Sequence, residues 1–345
     1  MNNNQILNNL GEIEIIKIIE ELIYEKTKKK LIKDDSFFFS LKNEATLKEF
    51  SQTDFVLNSD MLVSTTDIPP QMSSYQIGRK AILMNLSDLI VKGVKPKGIV
   101  ISLGLSKDME LRNFKDLMIG IIDSCIKWNL DYIGGDINET KELIINPTVF
   151  GFQDRSKIIY RTGLNPGDYL ITNGKFGLTG VGFDILLNKK GDSKSYPSYK
   201  RSIMSVLEPT DIGIEALILS QNNFATSSID SSDGLAKSLK DLIRSNPNIN
   251  IGFEIDFNDD LIDKEALNYA QKYNLSLETL IFDAGEEFIH IFTIDPKKYD
   301  SVQKLIQIKG GQIFKIGRVT SDKKIYIIKD DRKKQLTSSG FEHFS

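Results

Sequence analysis

The sequence has very few of the residues that build disulfides, imidazole metal sites and catalytic triads. Its 345 residues include one cysteine, Cys125, and two histidines, His290 and His343. A single cysteine rules out an intrachain disulfide, and so few imidazoles disfavour His-rich metal sites and Ser-His-Asp chemistry. His290 falls in an alternating apolar run, so we predict that it is a strand residue.

Long apolar runs and an excess of charge of one sign are also missing. No stretch reaches the roughly 18 apolar residues needed to span a bilayer, and residues Met1–Asn4 lack the basic-then-apolar order of a signal peptide. The formal net charge of -3 and the absence of a long basic block disfavour nucleic acid and anionic membranes as partners. We therefore expect a cytoplasmic protein.

The clearest break in the chain is the turn Asn165-Pro166-Gly167-Asp168, which separates two stretches of alternating strands and helices. In the first stretch, apolar residues at helical spacing predict helices over residues 12–32, 75–92 and 111–128. In the second stretch the alternation begins again and ends in strands. With 40% hydrophobic residues, this alternation predicts a mixed α/β (α+β) fold whose two domains meet near residue 160.

Aspartates in small-residue settings are the most unusual feature of the sequence. They lie in the segments Asp34-Asp35, Asn58-Ser59-Asp60, Asn85-Leu86-Ser87-Asp88, Gly134-Gly135-Asp136 and Asp230-Ser231-Ser232-Asp233-Gly234. A single aspartate of this kind is more often a helix cap or a turn residue. Asp88, however, has apolar neighbours in a predicted helix, and Gly134-Gly135, after a short predicted strand at 131–133, lets the backbone approach a ligand.

The chemistry that these aspartates predict depends on whether they converge, which their spacing leaves open. Converging carboxylates repel each other and require cations. Oxygen ligands without His or Cys suit Mg²⁺, which shares its coordination shell with waters and substrate phosphates. The predicted reaction is then phosphoryl transfer, because that reaction depends on positioning and on neutralising phosphate charge.

The sequence contains no Walker A motif of the form G-x-x-x-x-G-K-[ST], which disfavours a P-loop kinase. The glycine-rich segment 174–180 precedes a predicted helix, and its amides could hold a phosphate. A plain tight turn is the simpler interpretation of this segment.

Further motifs follow the aspartate segments in order. They are Tyr160-Arg161-Thr162-Gly163, Pro166-Gly167-Asp168, Gly285-Glu286-Glu287-Phe288, Ile316-Gly317-Arg318-Val319 and Gly340-Phe341-Glu342-His343-Phe344. Together the motifs resemble, nearly end to end, the thiamine-monophosphate kinase family of the aminoimidazole ribonucleotide synthetase-like superfamily. The resemblance implies a two-domain fold, with an ATP-binding and dimerising domain at 1–160 and a C-terminal domain at 161–345. It also implies a homodimer that uses ATP and Mg²⁺ to convert thiamine monophosphate to thiamine diphosphate.

The resemblance assigns a role to each matched position. The implied Mg²⁺ ligands are Asp35, Asn58, Ser59, Asp60, Asp88, Asp136, Asp230 and Asp233. The implied ATP contacts are Gly135, Asp136, Arg161 and Ser232, and the implied substrate contacts are Asp67, Glu286 and Phe341. No covalent nucleophile or general base is expected, because a phosphate oxygen of the acceptor is already ionised at neutral pH.

At three positions the sequence departs from the family pattern. These departures leave the identity of the phosphate acceptor more open than the binding of ATP and metal. Lys33 replaces a glycine, Asp67 replaces a histidine and Glu287 replaces an aspartate. One alternative is another ATP-using member of the superfamily with a different acceptor, although the absence of an N-terminal cysteine disfavours the selenophosphate branch. The other alternative is a catalytically silent nucleotide-binding protein.

Overall fold

The computed structural model describes residues 37–40, 52–210 and 212–342. The predicted helix over residues 12–32, together with Lys33, Asp35 and His343, lies outside them. The strands are β1 Phe37–Ser40, β2 Thr53–Ser59, β3 Leu62–Val63, β4 Pro96–Leu105, β5 Asp131–Glu139, β6 Ile144–Asp154, β7 Tyr169–Thr172, β8 Ala225–Ser231, β9 Gly252–Asp256, β10 Ile289–Ile294, β11 Phe314–Thr320, β12 Ile325–Lys329 and β13 Arg332–Gln335. The α-helices are α1 Ser64–Asp67, α2 Ser74–Ile90, α3 Leu111–Lys127, α4 Leu178–Phe183, α5 Lys200–Leu207, α6 Glu215–Gln221, α7 Leu235–Ser245, α8 Lys264–Tyr273, α9 Leu277–Phe282 and α10 Tyr299–Ile308.

The first sheet has the strand order β1-β2-β6-β4-β5, with β3 also paired to β6. Helix α2 packs against α3 and against β2 and β6. Ser73 begins α2 with a capping box, in which its hydroxyl accepts from the Gln76 amide and its own amide donates to the Gln76 side chain. Gly93, at φ 75°, lies just beyond the helix end. The predicted helix over 75–92 is therefore confirmed within two residues.

Strand β5 is longer than the short strand predicted at 131–133. It pairs in parallel with β4 as far as Glu139, so hydrogen bonds to β4 carry the strand through Gly134 and Gly135. Gly135 is needed for this pairing, because a Cβ atom there would lie 1.7 Å from the carbonyl oxygen of Ile101. Asp136 consequently lies within an edge strand and not at the end of one.

The second sheet has the strand order β13-β12-β9-β11-β7-β10-β8. Within this sheet, β9 and β12 pair in parallel, and the other pairs of described strands are antiparallel. Every residue of β10 is buried, and His290 pairs there with Asp230 of β8. The prediction that His290 is a strand residue is confirmed.

The two sheets share one hydrophobic core. The larger buried cluster includes Leu86 of α2 and Val149 of β6 together with Phe292 of β10. Helix α2 thereby lies between the sheets, and its last turns face β8. No helix among the described residues is long and apolar enough to cross a membrane.

Candidate active site

A cavity of about 1680 Å³ lies where the end of β2, helices α1 and α2, and the loops of the second sheet meet. Its lining includes most of the residues predicted to bind metal, ATP or substrate. These are Asn58, Ser59, Asp60, Asp67, Asp88, Arg161, Ser232, Asp233, Glu286 and Phe341. The structure therefore brings together side chains that are up to 283 positions apart, from position 58 to position 341.

Asp60 and Asp88 form the acidic end of this cavity, and Asp230 lies buried next to them without lining it. Burial, followed by the charges of Asp230 and Asp233, raises the pKa of Asp60 to about 6. Burial, followed by the charges of Asp230 and Asp60, raises the pKa of Asp88 well above its ordinary value. Burial also raises the pKa of Asp230, although Arg161 opposes this. The carboxylates thus lie close enough to resist ionisation together.

The Asn-Leu-Ser-Asp segment of α2 positions this acidic end. Asn85 accepts from the Asp60 amide at 2.8 Å and donates to the Asp60 carbonyl at 2.9 Å, which fixes the loop after β2. One turn further, Asn58 donates to Asp88 Oδ2 at 2.9 Å. Both contacts need polar side chains on one face of the helix.

A buried polar layer lies behind the carboxylates. Ser87 donates to Asp230 Oδ2 at 3.1 Å and lies 3.3 Å from His290 Nε2. His290 is fully buried, and burial together with the charge of Lys92 lowers its pKa to about 3. Lys92 donates to the Ser228 carbonyl at 3.0 Å. Ser87 and Lys92 were not identified from the sequence as members of this layer, although a lysine in the apolar stretch just after α2 was a signal.

The donor chemistry of the acidic end fits divalent cations. Among the described residues, no three Asp, Glu, His or Cys side chains already form an arrangement that could hold a metal ion. Asp60 and Asp88 nevertheless offer carboxylate oxygens to the cavity. Burial first and the charges of neighbouring aspartates second raise their pKa values, and a cation would relieve that repulsion. Asp233 differs, because Lys237 Nζ already pairs with its Oδ2 at 2.7 Å.

Arg161 and Ser232, the predicted ATP contacts, lie at the same end. The carbonyl of Arg161 accepts from Ser227 Oγ and from Asn246 Nδ2, both at 2.9 Å, so its backbone is fixed to β8 and α7. Ser232 directly follows β8, and Gly234, at φ 95°, precedes α7. The other two predicted ATP contacts, Gly135 and Asp136, lie on edge strand β5, and the single chain does not bring them to the cavity.

The predicted substrate contacts line the same cavity, beside apolar side chains, and Glu286 adjoins Ser232 because its amide donates to the Ser232 carbonyl. Asp67 Oδ2 accepts from the Val63 amide at 2.6 Å, so one oxygen of this carboxylate stabilises the short helix α1. Phe341 is 49% exposed, and its amide donates to the Asp233 carbonyl at 2.9 Å. The apolar side chains of Ile68 and Phe183 also line the cavity.

The glycine-rich segment 174–180 serves the fold, and the tight-turn interpretation is the one the contacts favour. The Gly177 amide donates to Glu287 Oε1 at 2.7 Å. A buried carboxylate of the chain itself therefore occupies the position that a phosphate would need at the start of α4. Burial raises the pKa of Glu287 to about 7.

We predict that Glu287→Gln stabilises the protein above neutral pH. The pKa of Glu287 in the folded protein, about 7, lies above the ordinary value of 4.5. The stability that protonated Glu287 contributes is therefore fully present below about pH 4.5 and is lost as the pH rises through about 7. The neutral glutamine avoids that loss. Near pH 8.5 the variant should gain on the order of 1 kcal/mol over the wild type, and near pH 5 the two should match. Denaturant unfolding at both pH values measures this gain. Glu278→Gln is the control, because Glu278 forms an exposed ion pair with Lys334. A gain that is equal at both pH values would contradict the prediction.

Residues 42–153 match the family model described as AIR synthase related protein, N-terminal domain. The chain is 29% identical over 341 residues to the thiamine-monophosphate kinase of Nitrosopumilus maritimus, covering 98% of this chain and 100% of that protein. It is also 29% identical over 306 residues to the thiamine-monophosphate kinase of Pyrococcus horikoshii, covering 88% of this chain and 91% of that one.

Among solved structures, AaThiL complexed with AMPPCP and TMP superimposes with a TM-score of 0.80 at 24% identity, covering 99% of each chain. Escherichia coli HypE, a hydrogenase maturation protein, superimposes with a TM-score of 0.65 at 17% identity, covering 93% of this chain and 97% of that one. These likenesses confirm the predicted fold class.

Proposed function

We propose that the chain is a member of the aminoimidazole ribonucleotide synthetase-like superfamily and a kinase that uses ATP to convert thiamine monophosphate to thiamine diphosphate. The similarity to thiamine-monophosphate kinases along 98% of the chain carries the proposal. The cavity supports it, because acidic side chains and Arg161 line it together with apolar side chains. Such a cavity suits a phosphate transfer to an acceptor with an organic ring.

Mg²⁺ would be held by the carboxylates of Asp60, Asp88 and Asp230, with oxygen donors from Asn58 and Ser59. The sequence adds Asp35, Asp136 and Asp233 to this set. When bound, several Mg²⁺ ions would neutralise the charge of the two phosphate groups. Asn85 and Ser87 orient the carboxylates from behind, since they contact Asp60 and Asp230 directly.

The remaining steps follow from the side chains of the chain itself. Arg161 presents a planar guanidinium that can donate two hydrogen bonds to phosphate oxygens, and Ser232 can donate one more. The acceptor phosphate is ionised at neutral pH, so it attacks the γ-phosphate in line and needs no general base. Phe341 and Asp67 would contact the thiamine ring system, and Glu286 would contact the acceptor as well.

We place the domain boundary near residue 160 and propose a homodimer formed through the first sheet. Three large apolar side chains of edge strand β5 are exposed: Tyr132 by 43%, Ile133 by 57% and Ile137 by 64%. Such exposure is unusual for a strand whose outer edge has no neighbouring strand. On the face turned away from α2, the rings of Phe55 and Phe150 lie 5.4 Å apart, and the ring of Phe152 packs against both. Pairing of two copies here would also place Gly135 and Asp136 at the interface.

We expect thiamine monophosphate to be a far better acceptor than free thiamine. The phosphate of the acceptor supplies the attacking oxygen and faces the metal-binding end, and free thiamine has neither. Initial rates with both acceptors at saturating ATP measure this preference. Faster turnover with free thiamine would overturn the proposed function, and a preference for another phosphorylated acceptor in the same assay would favour a different superfamily activity.

A further inference from the structure

Lys80 is a lysine inside the protein and not on its surface. It lies in the middle of α2 and is 1% exposed. A buried lysine is retained only where its charge and its donors find partners. Lys80 finds them in two of the predicted substrate contacts, Asp67 and Glu286.

The ammonium group of Lys80 joins two walls of the cavity, which come from distant parts of the sequence. Its Nζ atom lies 2.5 Å from Glu286 Oε1 and donates to the carbonyl of Asp67 at 2.5 Å. Glu286 belongs to the loop before β10, whereas Asp67 ends α1. One cation on α2 therefore fixes the separation of the two walls.

Glu286 is held so that one of its oxygens remains available. Its backbone adopts φ 60°, a left-handed conformation that is rare for glutamate, and its amide donates to the Ser232 carbonyl at 2.5 Å. Lys80 engages Oε1, while Oε2 is buried without a hydrogen-bond partner among the described residues. Since Glu286 lines the cavity and a buried unpaired oxygen is costly, a ligand donor is the natural partner of Oε2.

We propose that Lys80 is a positioning residue for the phosphate acceptor. It fixes Glu286 and the Asp67 backbone so that Glu286 Oε2 accepts a hydrogen bond from an N–H group of the acceptor's ring system. The inference rests on the proposed function and adds a residue to it. A purely structural role is the alternative, in which Lys80 only balances the buried charge of Glu286.

Kinetics of Lys80→Met separate the two roles. Loss of positioning should raise the KM for thiamine monophosphate by roughly tenfold or more and leave the KM for ATP within about twofold. Arg79→Met is the control: it removes a neighbouring cation of the same helix, which pairs with Glu208 and does not line the cavity, and it should leave the ratio of the two KM values unchanged. Lys80→Arg keeps the charge and should raise the same KM to a smaller extent, so it serves if the methionine variant does not fold.

An unchanged ratio of the two KM values in the Lys80 variants would overturn the proposal and leave the structural role. The failure of the proposed function looks different, because the wild type itself would then form no thiamine diphosphate. Isothermal titration of thiamine monophosphate into the wild type and into Lys80→Arg adds a readout that needs no turnover. Weaker acceptor binding in the variant supports positioning, and equal binding contradicts it.

Discussion

Asp88→Asn is expected to abolish turnover and, in the absence of metal, to make the protein more stable. Burial and the charges of Asp230 and Asp60 raise the pKa of Asp88, so ionising it at neutral pH opposes folding. Asparagine keeps the shape, can still accept from Asn58, and can donate to the adjacent Asp230. We expect a gain on the order of 1 kcal/mol in the free energy of unfolding and a loss of activity of about a hundredfold or more.

Thermal melts in chelator and in Mg²⁺ measure the stability effect. Ligand binding stabilises by mass action, so Mg²⁺ should raise the Tm of the wild type more than that of Asp88→Asn. Asp263→Asn is a suitable control, because Asp263 is also buried but pairs with Arg201 outside the cavity and should lose stability under both conditions. An Asp88 variant that is less stable in chelator and responds to Mg²⁺ like the wild type would contradict the carboxylate cluster.

Arg161→Lys is expected to lower the catalytic efficiency with ATP by roughly tenfold or more, about 1.4 kcal/mol. The substitution keeps the positive charge, and the backbone at this position is fixed by Ser227 and Asn246. A point charge nevertheless cannot reproduce two parallel hydrogen bonds to phosphate oxygens.

Steady-state kinetics with varied ATP measure the loss, and Arg244→Lys provides the control. The Arg244 side chain is 45% exposed and pairs with Asp241 on α7. A lysine can form the same ion pair there, so activity should stay within about twofold. Equal kinetics of the Arg161 variant and the wild type would show that Arg161 does not contact the phosphates.

Local sequence signals predicted the parts of this protein that depend on neighbours in sequence. The apolar spacing of α2 and the alternation around His290 are signals of this kind, and the structure confirms both elements. Strand β5 was too short in the prediction, because the glycines that end a strand by local preference are here held by pairing with β4.

The site was predictable only in part, for the same reason. The aspartates stand out by their small neighbours, but their spacing left open whether they converge; the structure places Asp60 and Asp88 close enough for their charges to interact. Lys80 could not be recognised as part of the site, because its partner Glu286 lies 206 residues away. Asp67 is the opposite case, because it was predicted to contact substrate but has a local partner. The Val63 amide donates to its Oδ2 atom, so this oxygen has a structural role without any ligand.

The most direct test of the proposed function follows the γ-phosphate of labelled ATP. Purified protein is incubated with γ-labelled ATP, Mg²⁺ and thiamine monophosphate, and the products are separated and counted. We predict that the label appears in thiamine diphosphate, in step with ADP, and that omission of thiamine monophosphate or chelation of Mg²⁺ abolishes the transfer. Label that appears as inorganic phosphate alone, or remains in ATP, would contradict a thiamine-monophosphate kinase.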